Sequence, residues 1–449
     1  MATRSSPNDR LRVLLDEARW TGGELARAVN AVAAESGLDL NYRRASTAQW
    51  LSGGCPRPPV PELIAEALSR ELDRDVTPSD AGFGADWRPF GEEGDPVLPE
   101  QLNRLAADTS RRSLLRYSVF RLALLTVPGP GAGPAGPVAR RRGAGAIGEA
   151  EIEAAETALG LFSATDRALG AGAVRVALAD YLANTISPWL RAGGVTPAVH
   201  RGLQSVAAEL AYLCGFMCFD DELHGPAQHY FRAALRLAAE SGDAVRYAIT
   251  LRAMSVQASA LGHRVQAVHL AETAMSSASA EAPQQVRAFL LGQVAVAAAS
   301  VGDRRRTTAT LQAAERALAE AADRSSVMGA YHHGSLVYQR AAAIAGLGDK
   351  AGAIKALHES IRLRPEGEYR ALAITQARIA ELSLDGGRID DAVAAWNRFL
   401  DIYPTVRSGR TRSALRTLQA RTRSHQGISA VKKLSARAAA ESGRRCWPR

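Results

Sequence analysis

Between residues 43 and 57 the chain gathers side chains able to bond a polyanion. Arg43 and Arg44 stand just before Ser46, Thr47 and Gln49, Arg57 follows in a proline-rich stretch, and Thr21 opens an earlier helix. Guanidinium groups bond phosphates and guanine edges in bidentate fashion, a glutamine amide matches adenine, and hydroxyls reach phosphate oxygens. Thr21, Arg43, Arg44, Ser46, Thr47, Gln49 and Arg57 therefore form the expected DNA-contact set. Thr47 is kept in it although, with Trp50 and Leu51, it falls mostly on the inward side of its helix. The plainer alternative, in which Arg43, Arg44 and Arg57 are only solvated loop arginines, stays open at this point.

Other constellations carry less. Cys214 and Cys218 share one helical face, with His224 and His229 nearby, so a metal site can be drawn. A cysteine pair four apart on an apolar helix is more often core packing, because a free thiol behaves as a small buried hydrophobe. His332 and His333 have no partner pattern. The glycines of PGPGAGPAG are broken by proline and lack a following Lys-Ser/Thr, so they cannot cradle a phosphate. No nucleophile elbow or paired carboxylates stand out. No catalytic, cofactor-binding or metal-binding residue is expected, and no enzyme activity.

A supporting head must position the 43–57 stretch. Residues 9–19 place Leu11, Leu14 and Leu15 on one side of a first helix. Thr21 and Glu24 then have the spacing of a capping box, which starts a second helix with Leu25, Ala26 and Val29 inside. About ten residues, 31–40, separate this helix from a very short third one that ends at Gly53. Pro56, Pro58 and Pro59 stiffen the exit, and residues 61–72 form a fourth helix with Leu63, Ile64, Ala67 and Leu68 buried.

Behind the head, residues 81–147 read as irregular, and the Pro/Gly stretch 127–145 reads as a linker. From 148 to 405 the pattern is Ala/Leu-rich at helical spacing with a recurring turn. Ala227, Ala267, Thr307, Ala353 and Ala392 occupy one repeat position, 40, 40, 46 and 39 residues apart. Spacing of this kind marks stacked helix pairs, which cannot bury their apolar faces singly. Glycines in the turns permit a left-handed cap, the small residue lets helices cross closely, and Tyr230, Leu270, Leu311, Leu357 and Trp396 fill the groove between pairs. Two helical pieces, 413–423 and 427–440, offer Leu415, Leu418, Ile428, Val431 and Leu434 to cap the last repeat.

Composition agrees with helices and little strand: 47% of residues are hydrophobic but only 6% aromatic, so the core must be Ala, Leu and Val. The net charge of +9 is local. Residues 1–78 hold ten arginines against eleven acids, whereas from 406 onward twelve Lys and Arg face one acid, Glu441. That basic stretch either solvates the cap or makes a second contact to nucleic acid or an acidic partner. Four scattered cysteines fit a reducing compartment, and no apolar run of membrane-spanning length occurs. Residues 110–115 look like a twin-arginine export signal but are internal, and Arg121 interrupts the apolar run behind them.

The head resembles the Xre-type helix-turn-helix regulators. It carries Trp20-Thr21-x-x-Glu24-Leu25-Ala26 in the second helix, then Ser46-Thr47-x-x-Trp50-Leu51-Ser52-Gly53 and a proline-rich exit. The stretch from Gln228 to Ala238, with Gly242-Asp243, is similar to the repeats of large actinobacterial regulators that pair such a head with tetratricopeptide repeats. Negative regulators of differentiation and antibiotic production are among them. The resemblance implies an all-α chain with an N-terminal helix-turn-helix domain (1–80), a connecting segment (81–147), a TPR-like α-solenoid (148–405) and a basic helical cap (406–449). It also implies a repressor-like transcriptional regulator that binds DNA and takes a peptide or protein ligand in the repeat groove, where a homodimer would allow two half-sites one turn apart; the cysteines and hydropathy point to a cytoplasmic chain with no membrane partner. The alternative is a repeat scaffold without sequence-specific DNA binding.

Overall fold

A computed structural model of the chain describes residues 6–35, 38–84, 98–107, 119–125, 147–278, 282–321 and 331–444. The chain is all-α, and the described residues contain no strand. The proline/glycine stretch 127–145 and the twin-arginine-like residues 110–115 lie outside the described residues.

The head consists of α1 (Asp9–Ala18), α2 (Gly22–Glu35), α3 (Arg44–Leu51) and α4 (Val60–Leu72). Each starts where its sequence supplies a cap or a proline. Asn8 Oδ1 accepts from Leu11 N at 3.0 Å ahead of α1, and Pro61 stands in the first turn of α4, where its missing N–H is harmless. Leu11, Leu25, Val29, Leu63, Ile64 and Leu68 form the centre of the head core, each fully buried. Burial of one such side chain is worth about 1.5–3 kcal/mol. Residues 77–84 fold back across α1: Asn8 Nδ2 donates to Ala81 O at 2.9 Å, and Gly82 (φ 78°) lies so close that any Cβ would strike Asn8. Ala81 and Phe83 are buried in this core, so the head runs past residue 80.

The sequence left residues 81–147 irregular, but α5 (Leu98–Ala107) is helical there, with Leu98, Leu102 and Leu105 spaced to bury one side. A 3-10 turn, Leu122–Leu125, follows a short strap at 119–121. Beyond it come α6 (Glu149–Leu169), α7 (Arg175–Tyr181), a π turn (Leu182–Ile186) and α8 (Ser187–Arg191). Then follow the helix pairs α9 (Pro197–Asp220) with α10 (His224–Ser241), α11 (Ala244–Ala260) with α12 (Arg264–Ser277), α13 (Gln284–Ser300) with α14 (Arg304–Ala319), α15 (His333–Gly346) with α16 (Lys350–Arg362), and α17 (Tyr369–Asp385) with α18 (Ile389–Ile402). Last come α19 (Gly409–Arg421) and α20 (Ser429–Arg444).

Two compact units divide the chain: Met1–Ala155 with Ala177–Leu270, and Glu156–Val176 with Ala271–Arg449. These borders differ from those read at 80 and 147, because the head is bonded to the first repeats, Glu66 to His263 at 3.0 Å and Asp73 to Val265 N at 3.4 Å. In the first unit α9 and α10 cross so closely that a Cβ on Gly215 would meet the Phe231 ring at 2.7 Å. Pro197–Asp220 is the one helix among the described residues with the length and apolarity to cross a membrane, and 78% of its most apolar window is buried inside the protein.

The repeat register holds at the residue level. Ala227, Ala267 and Ala353 are fully buried, and Thr307 and Ala392 nearly so. Five residues earlier in each repeat stand Glu222, Gly262, Gly302, Gly348 and Gly387, all with positive φ (62°, 90°, 81°, 94° and 73°). The chain thus reverses identically at each repeat, once with a glutamate at a position that otherwise calls for glycine. Asp303 and Asp349 follow two of these glycines and accept from Arg306 N at 2.9 Å and Gly352 N at 2.8 Å, capping α14 and α16.

In the second unit α13 to α18 stack pairwise, and Leu415, Leu418, Val431 and Leu434 of α19 and α20 close the end of the stack. Two expectations fail. Ile428 is 37% exposed because it precedes α20 rather than lying on its inner side. Leu311 is only partly buried, since α14 buries Thr307, Ala314, Ala317 and Leu318 instead.

Candidate nucleic-acid interface

α3 is clamped at its inner side. The Thr47 hydroxyl shares its proton between Gly22 O at 2.9 Å and Arg44 O at 2.8 Å, an approach that only a glycine at position 22 permits, because a Cβ there would sit 2.6 Å from Thr47 Oγ1. Trp50 is buried in the head core, edge-on to Tyr42 with ring centroids 5.1 Å apart. Asn30 of α2 holds the backbone of Tyr42 twice: its Nδ2 donates to Tyr42 O and its Oδ1 accepts from Tyr42 N, both at 2.9 Å. This pair answers the length of the connection between the second and third helices. α2 runs on to Glu35, and Asn30 fixes where the chain turns into α3. At the far end Asn8 N donates to Leu51 O at 2.9 Å, and Gly53 takes φ 96° to end the helix.

This clamping sorts the expected contact set. Arg43, Arg44 and Gln49 are exposed on or at the start of α3, Ser46 is half-buried, and Arg57 is exposed in the loop leaving it. Ser46 Oγ accepts from Arg43 N at 3.4 Å, which leaves its proton for an outside acceptor. Thr47 leaves the set, because it is 1% exposed and its hydroxyl is spent on the clamp. Thr21 is exposed but bonded within its own cap: its N–H and hydroxyl both donate to Glu24 Oε2, at 2.6 and 2.8 Å. These bonds hold the Glu24 carboxyl below its ordinary range.

Near-neutral net charge conceals a segregation. Glu17 pairs with Arg74 at 2.6 Å, Glu35 and Glu66 with Arg70 at 2.8 Å, Glu62 with Arg121 at 2.8 Å, and Asp9 with Arg12 at 3.7 Å. Among the described residues no acid pairs with Arg43, Arg44 or Arg57. The outer side of α3 and the residues flanking it therefore carry three guanidinium groups, an amide and a hydroxyl, the donor types that read phosphate and base edges.

A second feature escaped the sequence reading. Glu62 and Glu66, one turn apart in the apolar first part of α4, are buried, and the helix is covered from Val60 to Ser69. The strap and the first repeats provide the cover. Phe120 stacks on His263 with centroids 5.3 Å apart, and His263 Nε2 lies 3.0 Å from Glu66 Oε1. Gln228 of α10 grips the backbone of Arg121, accepting from its N at 3.0 Å and donating to its O at 2.7 Å. Burial pushes the Glu62 carboxyl upward, and Arg121 opposes it. His263 occupies the place where Asp303 and Asp349 cap their helices in later repeats. A buried histidine at a capping position and two carboxylates on an apolar helix were the available signals.

Other groupings resolve as structure. Cys214 and Cys218 are buried on the core side of α9 as small apolar packing residues. Ser335, His332 and Glu368 come together, but Glu368 at 3.2 Å and Ser335 at 3.3 Å both face Nε2, while Nδ1 accepts from Gly334 N at 3.1 Å. A proton relay needs its serine and carboxylate on opposite ring nitrogens, so His332 here is the cap of α15. Comparison with known proteins adds one resemblance: residues 11–84, from α1 to the fold-back behind α4, match the family model of the SP15 N-terminal domain. No curated protein matches the chain.

Proposed function

We propose that this chain is a DNA-binding transcriptional regulator, repressor-like in action, whose helical repeats take a peptide or protein partner. One observation carries the reading: α3 is rigidly clamped on its inner side and offers Arg43, Arg44, Ser46 and Gln49 outward, free of acidic partners among the described residues. A short helix presented in this way fits the major groove, with Arg57 on the neighbouring backbone. The resemblance to Xre-type helix-turn-helix heads supports the same reading, and a cytoplasmic location goes with it. The buried contact of α4 with the strap and first repeats offers a route for coupling. A partner that binds the repeats more tightly in one head arrangement than in another shifts DNA occupancy by that difference. Dimerisation would place two heads on half-sites one helical turn apart.

The near-balance of ten arginines and eleven acids in residues 1–78 favours a second reading, a repeat scaffold whose head is structural. Selection of bound duplexes from a random pool by the purified full chain separates the two. Regulation requires an enriched motif, weakened by about 1–3 kcal/mol on Arg44→Ala or Gln49→Ala. Enrichment of nothing, or of a motif indifferent to both changes, removes the DNA-reading proposal.

A further inference from the structure

Across residues 409–444, which form α19 and α20, nine Lys and Arg face a single acid, Glu441, itself buried. The inner side of the pair accounts for only part of this charge. Arg421 meets Asp385 at 2.6 Å and Arg437 meets Asp401 at 2.5 Å, so two cations bind the pair to the repeat stack. Arg423, Lys432 and Lys433 are exposed, and no acid pairs with them among the described residues.

The charge at the two helix starts runs against helix stability. The start of a helix favours acids, and α18 in the same stack carries Asp390 and Asp391 there. α19 and α20 carry none: Arg410 and Arg412 stand in the first turn of α19, and Lys432 closes the first turn of α20 with Lys433 directly behind it. A pair that only sealed the stack would need Leu415, Leu418, Val431 and Leu434 but not this outward charge.

We propose that the outer side of α19 and α20 binds the phosphate backbone of duplex DNA without reading sequence. The ligand follows from charge complementarity together with a deficit in the head, and in this respect the inference rests on the proposed function. Phosphate neutralisation supplies most non-specific affinity, yet the expected contact face on and beside α3 offers three cations, Arg43, Arg44 and Arg57. With a slope of about 0.9 per neutralised phosphate, three such cations give a salt slope of about 3. Adding Arg423, Lys432 and Lys433 doubles it, to between about 5 and 6.

The test measures binding of the full chain to a random-sequence duplex over a range of salt concentrations. R423Q/K432Q/K433Q is expected to lower the slope by about 3 and K433Q alone by about 1, on random and selected duplexes alike. Because all three side chains are exposed, the thermal melt is expected to stay put and serves as the folding control. An unchanged slope overturns the proposal; if the triple variant instead loses binding to polyglutamate or to anionic vesicles, the surface belongs to that partner. The outcomes also separate the two readings. A slope that falls while no motif is enriched sinks the head's role and keeps this one, and an enriched motif with an unchanged slope does the reverse.

Discussion

Replacing His263 by the aspartate that its repeat position carries elsewhere should have opposite effects on two parts of the first unit. For α12 the change is favourable, since Asp303 and Asp349 cap the equivalent helices and such a cap is worth about 1 kcal/mol. For α4 it is not. His263 is fully buried and Glu66 is 3% exposed, so His263→Asp removes a hydrogen bond to a charged group, worth about 1.5–3 kcal/mol. It also sets a second carboxylate roughly 5 Å from the first, and at an effective dielectric of about 20 that repulsion is about 3 kcal/mol. Net destabilisation of roughly 3.5–5 kcal/mol at pH 7 is expected. Urea unfolding followed by circular dichroism reads the total, and amide exchange along α4 shows whether the loss is local. In a Glu66→Gln background the repulsion disappears, and His263→Asp should then be neutral or slightly stabilising; Arg70 keeps Glu35 as a partner in that background. If His263→Asp leaves both unfolding and α4 exchange unchanged in the parent chain, the contact with Glu66 does not hold the head, and the coupling route falls with it.

Two further outcomes follow from the same geometry. Asn30→Ala strips the backbone N and O of Tyr42 of their partners, so it should cost about 1–2 kcal/mol in unfolding and blur any enriched motif, while a motif as sharp as the parent's would show that α3 does not depend on this brace. Glu62 has a carboxyl raised by burial, so the native state holds its proton more tightly than the unfolded chain does. Its contribution is full below about pH 4.5 and is lost as pH rises through the raised value. The stability of the parent minus that of Glu62→Gln should therefore decline from pH 4.5 toward 7, and a difference that grows with pH contradicts the assignment.

Periodic features were legible in the sequence. Turn glycines and small residues at a fixed offset gave the repeat register, because each obeys a local backbone or crossing constraint. The four helices of the head were legible from caps and apolar spacing. What escaped depends on contacts far apart in the chain. Nothing local marks Arg121 as the partner of Glu62, 59 residues away, or His263 as the neighbour of Glu66, 197 residues away. Thr47 shows the converse. A hydroxyl of the right type at the right spacing was placed in the contact set, but Gly22 lets α2 approach close enough to claim it. Ile428 and Leu311 failed because periodicity locates an apolar stripe only to within a residue or two when helix ends are uncertain.

The buried α4 limits how the chain can be cut or recombined. A fragment ending at residue 84 would keep α1 to α4 yet bare to water the α4 surface around Glu62, Ala65 and Glu66 that is covered in the full chain. Isolation of the head with its natural shielding needs the chain to continue through the end of α12. Repeats with a plain Gly-Asp turn are not interchangeable with the one bearing His263, so natural shuffling of repeats in such a chain should spare that turn.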